Sequence, residues 1–171
     1  MSCVGTSSVD FFIVGYGNLC RRDDGIGPYV ANQLESVLYH RKNIHCMALH
    51  QLEPCLIDEL QHTDIIVFVD ATVETLAEGR QWAMIQADIK AIPSFTHQCS
   101  PPVVLGWLQS LHHRNPVAWM VSIQGDDFDF GSGLSSGAKK RAEQVIAEIA
   151  EYVLTGVSEK GRSTLNEAKR P

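Results

Sequence analysis

Asp10-Phe-Phe-Ile-Val-Gly-Tyr-Gly-Asn-Leu-Cys-Arg-Arg-Asp-Asp-Gly-Ile-Gly27 is the stretch on which the fold turns. Its first part, Asp10 to Tyr16, is a short, nearly continuous apolar run instead of an alternating one, which predicts a central strand covered on both faces. The run breaks into a glycine-rich turn. From Asp24 onward Ile26, Val30, Leu34 and Val37 recur at intervals of three and four residues and mark an amphipathic helix to about Leu38.

The same alternation continues outward. Ile44 to Leu49 reads as a second strand, Pro54 to about Leu60 as a short helix with proline at an early position, and Asp64-Ile-Ile-Val-Phe-Val-Asp70 as a buried strand with charged edges. Trp82 to Ile89 is a weaker strand whose composition also supports a helix. Pro93 to Pro102 is expected as a loop, because its prolines resist both helix continuation and ladder hydrogen bonding. A helix follows from about Val103 to His112, then the strand Ala118 to Ser122. The acidic, glycine-rich loop Gly125 to Gly133 leads to a Ser-capped helix from about Ser136 to Tyr152, with Ala142, Val145, Ile146, Ile149 and Val153 on its apolar face. Strands alternating with helices imply a mostly parallel sheet with helices on both sides, an α/β fold. One domain is expected over residues 1–155, followed by a polar tail at 156–171.

The 171 residues are 44% hydrophobic and 20% charged with a formal net charge of −6, which argues against an electrostatic grip on nucleic acid or an anionic membrane. No segment approaches the roughly 18 to 20 consecutive apolar residues that span a bilayer. The first ten residues lack a basic flank and long apolar run, and Cys3, Cys20, Cys46, Cys55 and Cys99 form no CxxC pair, so a reducing cytoplasm is expected. Cys20 and Cys99 are expected to be buried small hydrophobes, with a reactive thiol as the alternative. Trp82, Trp107 and Trp119 are expected as core or shell aromatics.

In such folds ligand sites collect beyond the carboxyl ends of the strands, near a reversal of strand order. Three polar features fall there: the turn after the first strand, Asp70, and the loop around His97. A dinucleotide site competes for the turn, because a strand enters Gly15-x-Gly17 and a helix leaves it. The full fingerprint needs a third glycine where this chain has Cys20, and a phosphate there would face Asp23 and Asp24, offset only in part by Arg21 and Arg22. Asp23 is equally read as a cap of orphan amides and as a direct participant. Asp24, at a helix entrance and near a strand end, is a suitable metal ligand, and Gly25 and Gly27 allow close approach of another segment. Asp70 is either an acceptor of loop amides or a ligand. Asp24, Asp70 and His97 together make an N/O set that binds a borderline divalent ion and leaves positions open. Asp126, Asp127 and Asp129 lack a calcium-loop register and are expected as a solvated acidic loop. His112-His113 sits where a helix end needs its carbonyls satisfied.

Taken in order, Gly15-x-Gly17-Asn18, Asp23-Asp24-Gly25-x-Gly27, His50-Gln-Leu-x-Pro54, Val67-Phe-Val-Asp70-Ala71, Thr96-His97-Gln98 and Phe128-Asp-Phe-Gly131-x-Gly133-Leu134-Ser135 resemble the hydrogenase maturation endopeptidases. These are nickel-dependent proteases that process [NiFe] hydrogenase large subunits, and the likeness is greatest to the branch serving cytoplasmic bidirectional, NAD-linked hydrogenases. The resemblance implies a three-layer α/β/α sandwich, phosphorylase/hydrolase-like, with a five-stranded mixed sheet in the order 2-1-3-5-4 and strand four antiparallel. It implies that Asp24, Asp70 and His97 are the metal-contacting and catalytic residues, with Gly17, Asn18, Asp23 and Gly25 in support. The implied partner is a [NiFe] hydrogenase large-subunit precursor that carries the nickel itself. Two alternatives stand beside this: a nucleotide-dependent oxidoreductase using the first turn, and a non-enzymatic hydrogenase chaperone or nickel-sensing binding module.

Overall fold

The computed structural model describes residues 9–89 and 99–156. Five strands, β1 (Phe11–Tyr16), β2 (Ile44–Leu49), β3 (Ile65–Thr72), β4 (Arg80–Ile85) and β5 (Val117–Gln124), form one sheet in the order β2-β1-β3-β5-β4. All pairings are parallel except β4 with β5. β1 and β3 lie in the middle because their side chains are apolar on both faces, and both faces are covered. Phe11, Ile13, Val67, Val69, Val121 and Ile123 pack under α1 (Ile26–Leu38) and α4 (Ser136–Gly156). Phe12, Val14, Ile66, Phe68 and Ala118 pack under α2 (Leu56–Leu60) and α3 (Pro101–His112). The result is the α/β/α sandwich, with the strand order and the antiparallel β4 that the resemblance implied.

Several boundaries differ from expectation, each for a local reason. Val37 is 54% exposed, and Leu38, 2% exposed, ends the buried stripe of α1, because residues 26, 30, 34 and 38 keep one face. β4 stops at Ile85 and not Ile89, since Ile85 pairs with Ala118 and β5 begins at Val117, leaving nothing further to bond. α3 starts at Pro101, not Val103. Proline is compatible with the first helical turn, whose N–H groups have no intrahelical acceptor. α4 runs past Tyr152, and Thr155 Oγ1 donates back to the Glu151 carbonyl at 2.8 Å. Residues 93–98 of the expected 93–102 loop and the tail beyond residue 156 lie outside the described residues.

The feature that places the site is a backbone crossing. Gly27, in the first turn of α1, lies so close to β1 and β3 that a Cβ there would run into the carbonyl oxygens of Tyr16 and Val69. Gly17, with φ of 146°, presses on the Asp24 carbonyl in the same way. Glycine here lets a helix entrance sit directly on the carboxyl ends of the two central strands.

Candidate active site

The turn between β1 and α1 is folded by its own polar groups. The Asn18 side-chain oxygen accepts the Cys20 N–H at 2.9 Å, and the Asn18 N–H donates to Asp24 Oδ2 at 2.9 Å. Asn18 therefore shapes the turn and holds one oxygen of Asp24, which sits partly buried in a short 3-10 turn, Arg22–Gly25. Gly25 meets only Leu19 and does not take part in the close crossing that Gly27 makes.

Asp70 lies near the carboxyl end of β3, and the Ala71 N–H donates to its Oδ1 at 2.8 Å. Burial pushes its carboxyl up to about 6; hydrogen bonds from Ala71 and the Tyr16 hydroxyl act the other way, and the negative charge of Asp24 raises it further. The charge of Asp24 thus reaches Asp70, the one sitting in the 3-10 turn after β1 and the other near the carboxyl end of β3. His97 lies outside the described residues. Among the described residues no three His, Cys, Asp or Glu side chains gather as a metal-holding group. The two carboxylates are hard oxygen donors, suited to a divalent ion that keeps other ligands of its own.

Asp23 accepts amide N–H groups, as one of its two readings expects, but those of a distant loop. Its side chain is fully buried. It reaches to the loop after β5. Oδ2 accepts the N–H groups of Asp126 at 2.7 Å and Asp127 at 2.9 Å and the Ser135 hydroxyl at 2.7 Å, while Oδ1 accepts the Ser135 N–H at 2.7 Å. Burial alone would raise its pKa, but the hydrogen bonds from Ser135, Asp126 and Asp127 outweigh burial and lower it. Ser135 in turn caps α4 by accepting the Ala138 N–H at 3.2 Å.

The acidic loop is solvated as expected at Asp126 and Asp129, which are exposed, but two of its carboxylates also meet arginines. Asp126 bonds Arg141 at 2.6 Å and Asp127 bonds Arg22 at 2.8 Å, so these carboxylates are already engaged by arginines. Arg22 reaches its partner from a left-handed backbone, φ 43°. Arg21 Nε donates to the Phe128 carbonyl at 3.2 Å and its guanidinium lies 5.9 Å from the Phe130 ring centroid. Both arginines that would offset phosphate charge are turned to this loop, and the start of α1 is pressed onto β1 and β3. The turn is therefore a poor cradle for pyrophosphate.

Comparison with known proteins follows the same geometry. No family model matches the chain, and no curated protein is detectably similar to it in sequence. Solved structures are similar. The [NiFe] hydrogenase maturation protease HycI from Thermococcus kodakarensis KOD1 is 22% identical with a TM-score of 0.67, over 88% of this chain and 95% of that one. The hydrogenase maturating endopeptidase HybD from E. coli is 18% identical with a TM-score of 0.68, over 88% and 96%. The hydrogenase 2 maturation peptidase from Thaumarchaeota archaeon SCGC_AB-539-E09 is 16% identical with a TM-score of 0.63, over 87% and 99%. The chain shares their fold.

Around the paired aspartates the remaining predicted residues divide. Cys20 is exposed and not a buried hydrophobe, while Cys99 is partly buried beside Tyr16, its thiol pushed up by burial to about 11. Cys20, Cys46, Cys55 and Cys99 are free thiols. At the end of α3 it is the backbone N–H of His113, in a left-handed conformation, that satisfies the Leu108 carbonyl. Trp82 and Trp119 form an edge-to-face shell with Tyr152, centroids 5.9 to 6.4 Å apart, on the α4 side of the sheet. No helix among the described residues is long and apolar enough to cross a membrane.

Proposed function

We propose that this protein is a nickel-dependent endopeptidase that removes the C-terminal extension of a [NiFe] hydrogenase large-subunit precursor after nickel insertion. The observation that carries the reading is the placement of Asp24, in the turn after β1, within electrostatic reach of Asp70 near the carboxyl end of β3, in a fold shared with several hydrogenase maturation proteases. The ordered motifs from Gly15 to Ser135 add the specificity that fold alone lacks, and those around His50 and Phe128 favour the cytoplasmic, NAD-linked branch.

Nickel enters this reaction as part of the substrate, and it supplies Lewis-acid character toward the scissile carbonyl and the attacking water. Asp24, Asp70 and His97 hold the precursor's metal, which registers the scissile bond against the enzyme. One aspartate of the pair takes a proton from the attacking water and returns it to the leaving amine nitrogen. The loops bearing Asn18, His50 and Asp126 to Gly133 form the rim against the precursor, where Leu19 and Phe130 are 61% and 86% exposed.

Purified protein mixed with nickel-loaded and nickel-free precursor, followed by mass spectrometry, tests this. The extension is lost only from the nickel-loaded form, and Asp24→Ala, Asp70→Ala and His97→Ala each slow its loss by about a thousandfold or more while remaining folded. An intact precursor that nevertheless binds the protein would instead establish the chaperone reading.

A further inference from the structure

β4 closes one side of the sheet, and α4 packs on the face of its neighbour β5. At that margin Trp82 of β4, Trp119 of β5 and Tyr152 of α4 are each only partly buried. Their rings pack edge to face, and with Glu148, Glu151 and Thr155 of α4 they line an open groove of about 470 Å³. The groove follows the last two turns of α4, the end of the helix away from Ser135 and the Asp23 latch.

The indole donors here are already spent. Trp82 Nε1 donates to Glu148 Oε2 and Trp119 Nε1 donates to the Tyr152 hydroxyl, both at 3.1 Å. Arg80 Nε donates to Glu148 Oε1 at 2.7 Å, so that carboxylate is neutralised from within. Glu151 is exposed and forms no ion pair among the described residues. What the groove offers is therefore aromatic surface and one unneutralised carboxylate. A cation matches both, since the face of an aromatic ring attracts positive charge; an anion or an apolar group would leave Glu151 unmatched.

A source of cations leaves α4 at the groove itself. Thr155 lines it, Gly156 ends the helix, and residues 157–171 carry Lys160, Arg162, Lys169 and Arg170 against Glu159 and Glu167. Glycine gives the chain freedom to reverse there. At about 3.3 Å per extended residue Lys160 reaches roughly 13 Å from Gly156 and Arg162 roughly 20 Å, whereas the helical turns from Glu148 to Thr155 span only about 10 Å. In an extended segment Lys160 and Arg162 share one side and Glu159 the other. A short tether also holds its cations at roughly millimolar effective concentration, ahead of any free competitor. We propose that the segment after Gly156 folds back along α4 and seats Lys160 and Arg162 on the Trp82, Trp119 and Tyr152 rings beside Glu151. The contact stands apart from the processing function and does not depend on it.

NMR of the isotope-labelled full chain tests this, with Trp107 on α3 as the internal reference. In wild type the side-chain methylene protons next to the Lys160 and Arg162 charges are expected upfield of those of Lys169 and Arg170, because ring currents act on groups above a ring face. The double variant Lys160→Glu, Arg162→Glu keeps every core residue. It is expected to move the Trp82 and Trp119 indole N–H signals and leave that of Trp107 in place, and about 1 M salt should shift wild type toward the variant. Identical Trp82 and Trp119 signals in wild type and the double variant would overturn the proposal. So would N-acetylarginine amide moving those signals as strongly in wild type as in the double variant, since the groove would then stand open for a cation from another molecule.

Discussion

Asp23 and Asp70 are carboxylates withdrawn from water less than one strand apart from the same glycine crossing, yet burial leaves them with opposite proton affinities. Asp23 receives four hydrogen bonds from the loop after β5, and these hold it ionised. Asp70 receives one backbone N–H, from Ala71, which does not offset its desolvation, and Asp24 adds a like charge. The first carboxylate has spent its acceptor capacity on the fold. The second keeps capacity for something that arrives from outside. An ionised carboxylate offers about four acceptor positions, so donor counting separates a structural aspartate from a working one where residue type and burial do not.

The most disruptive way to break this comparison is Asp23→Ala, which leaves three backbone or hydroxyl donors of the loop and the Ser135 N–H without their acceptor. Its cost should be about 3 to 5 kcal/mol in urea denaturation; a loss below about 1 kcal/mol would show that the loop is held by other contacts. Because the Asp23 pKa is depressed on folding, its contribution is present above the unfolded carboxyl range and disappears as pH falls through the folded value.

Asp70→Asn should move stability the other way. An acid whose pKa is raised to about 6 on folding binds more protons folded than unfolded. Its neutral form favours the fold, and stability falls as pH rises from about 4 through about 6. The groups that face it are Tyr16 from β1 and Asp24 from the 3-10 turn, with Cys99 beside Tyr16. In metal-free protein Asp70→Asn should therefore match wild type near pH 4 and exceed it at pH 8 by up to about 3 kcal/mol, while losing processing activity. Equal stability at both pH values would remove the distinction between the two aspartates.

The smallest effect sharpens what Asp23 holds. Asp127→Asn removes the ion pair with Arg22, whose side chains are 32% and 47% exposed, but keeps the Asp127 N–H that donates to Asp23. It should cost less than about 1 kcal/mol and lose that effect in high salt. A cost comparable to that of Asp23→Ala would locate the anchor in the surface pair instead.

Much of this was legible in the chain. β1 and β3 are continuous apolar runs, and nothing but a sheet centre accommodates such runs at that length. Asp24 and Asp70 were legible because both end or follow those runs, so the carboxyl edge had to bring them near each other. The end of β4 was not legible, because it depends on where β5 begins. The latch of Asp23 was hidden because its partners lie 103 to 112 residues later. The ion pairs of Asp126 and Asp127 were not legible, because Arg141 and Arg22 lie on other elements.

Asp23 also ties the protein's competence to the order of its synthesis. The carboxylate leaves the ribosome early, while the Ser135 donors that complete its shell follow 112 residues later. At about 5 to 20 residues per second that interval is on the order of ten seconds. During it the turn that carries Asp24 has at most its bonds to Asp126, Asp127 and Gly131, and the buried carboxylate lacks both donors of Ser135. A chain ending before Ser135 therefore leaves Asp23 incompletely paired, and the turn beside Asp24 is finished only when most of the protein has been made.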